Sequence, residues 1–259
     1  MRKIIFFLWL VQASINASAQ QTKQQLQAER KARIDNMAKE EEEGVIAYKK
    51  SFVFGLKLAS DGYGAFIEWG RAKSVKKSIL YQFEINERKA AKETKQTNPY
   101  INSTPFIFGK ENFVYPVKLG VQKQMLLGNK ANKNGVNVTA NYGGGLSFSL
   151  LRPYYLQVEK GNGFVYVKYN SPDSSLFLNG PIVGGPTFGK GWSDLSVTPG
   201  LYAKTSFRFD YGRYNEIVSA IEVGITGEYY MKKIPILIQN PEKNFFFSGF
   251  IAICFGKRK

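Results

Sequence analysis

Histidine is absent from this sequence of 259 residues, and cysteine occurs once, as Cys254. Histidine is the side chain used most often as a general base and is a common metal ligand, so its absence removes the usual acid–base and metal-centred schemes. A single cysteine cannot form an internal disulfide. We therefore predict no catalytic residue, no metal site and no cofactor, and an enzyme becomes the least favoured hypothesis.

Long apolar runs are also missing, because no segment approaches the roughly 20 residues that a transmembrane helix needs. Near the amino terminus, the basic residues Arg2 and Lys3 precede a short apolar stretch from Ile4 to Val11. The small residues Ala17 and Ala19 then follow with the spacing of a signal-peptide cleavage site. The sequence predicts an export signal over residues 1–19 that is cleaved after Ala19.

The next segment, residues 20–50, is rich in helix formers and has neither glycine nor proline between residues 21 and 43. Its apolar stripe is sparse, which is typical of a solvated or peripheral helix. We predict a periplasmic helical arm here. An arm that docks on a partner is the alternative.

Beyond residue 51 the apolar positions follow a period of two, the pattern of β-strands. The clearest segment runs from Val136 to Leu150. The other segments with this period are residues 52–58, 63–70, 78–86, 113–122, 201–211, 217–229 and 245–255. The sequence therefore predicts an all-β domain of about eight strands over residues 51–259.

Alternation alone also fits a secreted β-sandwich or a lipocalin-like barrel, so strand length and charge decide between the classes. The longer segments reach about 15 residues, whereas strands of soluble proteins average about five or six. One face of the strands is apolar, and the other carries charges in mid-strand: Lys57, Glu68, Glu84, Lys118, Lys204, Arg208, Asp210, Glu222 and Glu228. A lipid-facing exterior around a polar lumen produces this division, and we predict a transmembrane barrel.

The connections between the predicted strands alternate in length. Residues 72–77, 128–135 and 212–216 form short connections, whereas residues 87–111, 152–197 and 231–244 form long ones. Outer-membrane barrels have short periplasmic turns and long external loops, so both chain ends are predicted to be periplasmic. The tight first connection, Ser60 to Gly62, departs from this alternation.

The longest connection contains a predicted hairpin around Gly161 and Gly163. If its two segments joined the wall, the barrel would have ten strands with the same alternation of connections. Eight and ten strands are both open at this point.

The signal sequence, the strand from Val136 to Leu150 and the aromatic final strand from Phe245 to Phe255 together resemble the small outer-membrane β-barrel proteins of Bacteroidota. That group shares its architecture with OmpA-type and OmpX-type barrels. The resemblance implies a transmembrane antiparallel up-and-down barrel in the outer membrane of a Gram-negative cell, and it carries over no catalytic residue. The terminal segment Gly256 to Lys259 departs from the usual aromatic last residue.

An eight-stranded barrel has an interior just wide enough for side chains, so we expect the lumen charges to pair, for instance Lys204 with Glu222. The predicted function is a structural or interaction role without catalysis, of which an accessory of a secretion or envelope complex is one form. The alternative is a narrow channel or transporter for small solutes.

Basic residues outnumber acidic ones by 36 to 20, and the surplus is predicted to lie at the rims of the barrel, with Arg88, Lys89, Lys92 and Lys95 on the external side. Basic rims beside a membrane suit acidic partners and lipid phosphates. The predicted partners are outer-membrane lipid and lipopolysaccharide, with envelope or secretion-complex proteins as further candidates. Nucleic acid is not expected, because the chain is exported.

Overall fold

In a computed structural model, the structure describes residues 25, 27–29, 31–32 and 48–259, apart from 100–103, 130–134, 171, 173 and 213–215. The predicted signal sequence, with Ala17 and Ala19, lies outside the described residues. Within the predicted arm, residues 25, 27–29 and 31–32 are helical. No helix among the described residues is long and apolar enough to cross a membrane.

Strands dominate the remaining chain, together with a short helix α1 (Ser174–Asn179) and a single 3-10 turn (Trp192–Asp194). The strands are β1 (Lys50–Ala59), β2 (Gly62–Ser74), β3 (Lys77–Arg88), β4 (Lys95–Gln96), β5 (Phe106–Ile107), β6 (Asn112–Gly128), β7 (Asn137–Pro153), β8 (Leu156–Lys160), β9 (Gly163–Val167), β10 (Ile182–Gly184), β11 (Ser196–Asp210), β12 (Ile217–Ile234) and β13 (Lys243–Arg258).

Eight of these strands close into an antiparallel barrel in the order β1-β2-β3-β6-β7-β11-β12-β13. The ring is completed where β13 pairs with β1, from Ser51 opposite Arg258 to Ala59 opposite Phe250. Each strand pairs with the next wall strand along the chain, which is the up-and-down topology. The predicted all-β barrel is confirmed.

The ten-strand alternative is wrong. The predicted hairpin does form, as β8 and β9, but β8 pairs on its other side with β10 in a separate three-stranded sheet. Its apolar side chains Leu156, Val158 and Val167 are buried in a core outside the barrel wall. That core, which joins three connections, holds the hairpin away from the wall.

The outer face of the wall is apolar and exposed. Leu146 is 51% exposed, Val223 42% and Ile251 55%, and all three lie in mid-strand. Burying apolar surface is worth about 25 cal/mol per Å², so a continuous apolar ring is unstable against water. A closed ring of strands also leaves no backbone group unpaired in lipid. Together these features describe a transmembrane barrel.

The two ends of the barrel differ. At the end that we call the terminal end, Lys50 and Lys259 are joined by backbone hydrogen bonds of 2.7 and 2.8 Å, and the connections are residues 75–76, 129–136 and 211–216. At the other end, which we call the cap end, the connections are residues 60–61, 89–111, 154–195 and 235–242. The predicted alternation is present, with the same exception at the first turn. Several strands run further than predicted. At the cap end, β12 continues to Ile234, and Tyr230 and Ile234 are buried there.

If the outer face of the wall contacts lipid, an arginine placed on it should destabilise the barrel more in mid-membrane than near the membrane surface. We expect Val223→Arg, in the middle of β12, to lower the free energy of unfolding by about 2–4 kcal/mol, and Ile217→Arg, at the strand end, by about 0–1 kcal/mol. Denaturant unfolding in lipid vesicles measures both. The two side chains are similarly exposed, at 42% and 44%, so equal costs would contradict a wall that spans lipid.

Candidate functional site

The lumen contains all nine charged side chains that the sequence placed on the polar face. Each of them is at most 3% exposed: Lys57, Glu68, Glu84, Lys118, Lys204, Arg208, Asp210, Glu222 and Glu228. They share the inner face because successive side chains of a strand point to opposite sides of the sheet. The barrel therefore encloses a dense set of charges away from water.

One cluster of charges is centred on Glu222. Its carboxylate accepts a hydrogen bond from Ser206 Oγ at 2.7 Å, contacts Lys204 Nζ at 2.9 Å and accepts two bonds from Arg208 at 2.5 and 3.0 Å. Arg208 also reaches across the lumen to Glu68, at 2.6 Å. The Lys204–Glu222 pair expected from the sequence is present, and this cluster connects β2, β11 and β12.

A second cluster lies nearer the cap end. Glu84 contacts Lys57 Nζ at 2.7 Å and Lys118 Nζ at 3.1 Å, and Lys118 also contacts Glu228 at 2.7 Å. The hydroxyl of Tyr230 donates to Glu228 at 2.6 Å. These contacts tie β1, β3, β6 and β12 together across the lumen.

Arg88 corrects the sequence-based prediction, which placed it on the external rim. Its side chain is 4% exposed and donates to Glu228 at 2.8 Å and to Asp61 at 2.6 Å. The alternation that carries Glu84 continues to Arg88, because β3 runs two residues further than predicted. At the terminal end, Arg258 pairs with Asp210 at 2.5 Å.

The lumen charges balance once these partners are included. The ion pairs connect six basic side chains with six acidic ones. A buried charge is costly unless it is paired, so the balance lowers the cost of enclosing these charges.

Aromatic and aliphatic side chains fill the space that the charges leave. Lys57 Nζ and Lys204 Nζ lie 4.2 and 4.9 Å from the ring centre of Phe250. Beneath the cap, an apolar cluster crosses the lumen: Val114, Leu151, Tyr230 and Ile234. A void between the second charge cluster and the first turn measures about 10 Å³, which is room for one water molecule. Together with the near-zero exposure of the nine charged side chains, this packing fills the described part of the lumen.

The three long connections at the cap end fold together into what we call the cap, residues 89–111, 154–195 and 235–242. Its buried core takes side chains from all three: Phe106, Ile107, Tyr154, Leu156, Val158, Val167, Phe177 and Leu237. Backbone hydrogen bonds join the connections, from Glu111 N to Ile236 O at 2.8 Å and from Ile238 N to Gly109 O at 2.9 Å.

Buried polar groups in the cap are paired. The Tyr154 hydroxyl accepts a hydrogen bond from Ile107 N at 2.9 Å, and burial raises the pKa of Tyr154 to about 12. Lys110 Nζ lies 2.6 Å from Glu93, and burial lowers the pKa of Lys110. The sequence-based prediction missed this folded cap, because its contacts join connections that are far apart in the chain.

The cap also presents an aromatic surface beside the wall. Trp192 stacks on Tyr115 with ring centres 5.8 Å apart, and the Arg152 guanidinium lies 4.8 Å from the Trp192 ring. Phe188, next to Trp192, is 84% exposed, and Phe164, at the tip of the hairpin, is 59% exposed. Large aromatic side chains are thus exposed on the folded cap.

No protein-family model and no curated protein matches this chain in sequence. Three solved structures are similar to it over 81% of its length. They are the N-terminal β-barrel domain of Pseudomonas aeruginosa OprF (8% identity, 98% of that chain, TM-score 0.36), Neisserial surface protein A (12%, 96%, 0.33) and Ail, the attachment invasion locus protein of Yersinia pestis (7%, 96%, 0.34). At these scores the likeness carries no argument, and the barrel is defined by its own strand pairing.

Within the described ranges, no three His, Cys, Asp or Glu side chains are grouped as potential metal ligands, and the absence of a metal site stays a prediction. The absence of a cofactor stays a prediction. Cys254 is buried in the lumen among Val53, Phe66 and Phe250, where it fills space.

The first charge cluster predicts that a single substitution at Glu222 greatly lowers the free energy of unfolding. Glu222→Gln removes the carboxylate that Lys204 and Arg208 share, and breaking a buried pair costs about 3–5 kcal/mol. We expect denaturant unfolding in vesicles to show this loss. Asp194→Asn, which breaks the exposed pair with Lys168, is the control and should leave the midpoint unchanged. An unchanged unfolding midpoint for Glu222→Gln would contradict a lumen in which the charges are buried and paired.

The cap core predicts a local effect. Tyr154→Phe leaves the buried amide of Ile107 without its acceptor, which costs about 1–3 kcal/mol. Amide hydrogen exchange at Ile107 should accelerate accordingly, while exchange in the barrel strands stays unchanged. Tyr166→Phe, on β9 of the same cap, is the matched control. Equal exchange at Ile107 in both variants would show that the cap does not depend on this bond.

Proposed function

We propose that this protein is a non-conducting outer-membrane barrel that holds a folded cap at the cell surface, where the cap interacts with other molecules. One observation carries the proposal: the lumen is filled, whereas the long connections at one end form a folded unit with its own core. Long connections face the outside in barrels of this class. The cap end is therefore external, and both ends of the barrel chain are periplasmic.

The filled lumen argues against the channel alternative. A solute that crossed the barrel would have to separate paired charges such as Arg208 and Glu222, and would then meet the apolar cluster around Tyr230 and Ile234. Eight strands leave an interior that side chains can fill, with no room for a wide pore. The barrel accordingly serves as an anchor rather than a path.

The aromatic surface of the cap supports an interaction role. Phe188, Phe164 and Trp192 are 84%, 59% and 40% exposed, and aromatic residues are enriched in protein interfaces, with Trp among the usual hot spots. Lys190 and Lys168 lie beside this surface, within 6 Å of the Tyr155 ring centre. Lipopolysaccharide contacts the wall, and an envelope or secretion-complex protein is the proposed partner of the cap.

Conductance tests the anchor against the channel. The purified protein in planar bilayers should give no unitary currents, under conditions in which a large porin conducts. Reproducible currents that change in size when Lys204 or Glu222 is replaced would assign conduction to the lumen and overturn the proposal.

Cross-linking tests the interaction role in intact outer membranes. A photoreactive residue at position 188 or 164 should give the same discrete protein adduct from both sites. The controls are position 142, on the lipid-facing wall, and position 73, at the terminal end. Lipid adducts at position 142 without any protein adduct at either cap position would contradict a partner of the cap.

A further inference from the structure

A groove of about 350 Å³ opens at the cap end beside the turn at Asp61. The connection between β1 and β2 is only residues 60–61, so a tight turn covers little of the barrel mouth on this side. One wall of the groove is the chain that leaves β3, through Lys89 and Lys92. The other wall is the end of β12 and the start of β13, from Ile234 to Lys243.

Positive charge surrounds this groove. Arg88, Lys89, Lys92 and Lys243 all line it, with the two exposed lysines Lys92 and Lys243 on opposite walls. Asp61 also lines the groove, but its carboxylate is already bonded to Arg88 Nε at 2.6 Å. The groove therefore carries a cationic surplus that its own carboxylate does not cancel.

The guanidinium of Arg88 lies at the base of the groove. Its Nη1 atom is buried and has no hydrogen-bond partner among the described residues, whereas Nε and Nη2 are held by Asp61 and Glu228. Glu87, on the neighbouring position of β3, comes within 3.8 Å of Lys89 Nζ, which is a long contact between partly exposed groups. Glu242 flanks Lys243 in sequence but does not line the groove.

The rest of the groove is apolar. Ile234, Ile236 and Phe246 line its inner part, and the methyl groups of Ala90 and Ala91 belong to the opposite wall. The Arg88 guanidinium lies 4.2 Å from the ring centre of Phe246, so charge and apolar surface meet at the base. An apolar interior with a cationic rim has the character of a site for a molecule that is itself apolar at one end and negative at the other.

We propose that this groove binds a small amphipathic anion, a carboxylate with a compact apolar body. Ligand pockets commonly have volumes of about 300–1,000 Å³, so the groove accepts only a small molecule of this kind. The carboxylate pairs with Lys92 and Lys243 through charge-assisted hydrogen bonds, and the apolar body displaces water from Ile236 and Phe246. This site is separate from the aromatic surface of the cap and does not depend on a protein partner.

Methyl NMR on the full chain in lipid nanodiscs tests the site with benzoate, a water-soluble aryl carboxylate. We expect saturable shifts of the Ala90, Ala91 and Ile236 methyl signals. Two control ligands each keep one half of benzoate: benzyl alcohol keeps the ring and lacks the charge, and acetate keeps the charge and lacks the ring. Each should bind at least about tenfold more weakly than benzoate. The methyl signal of Ile251, on the lipid-facing wall, reports any partition into the bilayer.

Two double variants locate the charge. Lys92→Gln with Lys243→Gln should raise the dissociation constant of benzoate about tenfold or more, because both cationic partners of the carboxylate are removed. Lys73→Gln with Lys77→Gln, at the terminal end, removes the same charge and should leave binding unchanged. All four side chains are exposed, so folding is not at risk.

Three results would overturn the proposal. They are the absence of saturable shifts at the groove methyl groups, equal binding of benzyl alcohol, and equal benzoate binding by the two double variants. None of these results bears on conductance or on cross-linking at position 188, so the site can fail while the anchor proposal stands, and the reverse also holds.

Discussion

Closure of the sheet is the constraint on which the rest of this structure depends. In lipid an unpaired backbone amide or carbonyl costs several kcal/mol, so the wall must leave no free edge. The pairing of β1 with β13 supplies the last seam, and the approach there is close: a Cβ atom on Gly256 would come within 2.2 Å of the Phe52 carbonyl oxygen. Glycine at that position allows the two strands to meet at normal hydrogen-bond distance.

Closure with eight strands then dictates what lies inside. The interior takes side chains and little water, so each charge needs a partner. The pairs cross the lumen between strands that are not neighbours, as in Arg208 of β11 with Glu68 of β2 and Arg88 of β3 with Glu228 of β12. Such pairs add little net stability compared with an apolar filling, but they oppose register slips, because a shift by one residue would turn every lumen charge towards lipid.

The wall could be predicted from the sequence because alternation is local: Val136 to Leu150 reveals its two faces without knowledge of any other segment. The sequence-based prediction misplaces Arg88 because the predicted strand ends two residues too early. The alternation from Glu84, continued to Arg88, places that side chain in the lumen. The hairpin at Gly161 was predicted, but its position beside the barrel was not. That position depends on contacts such as Tyr154 with Ile107, which lie 47 residues apart and leave no periodic trace.

The first turn, which is the exception to the alternation of connection lengths, shapes the cap end of the barrel. Because residues 60–61 form only a tight turn, the barrel mouth is less covered on that side, and the buried Arg88 lines the groove there. Arg88 also belongs to the lumen network. It is held by Asp61 and Glu228 at once, so moving outward with a ligand would break two ion pairs. We therefore expect a ligand to occupy the proposed groove site without opening the lumen.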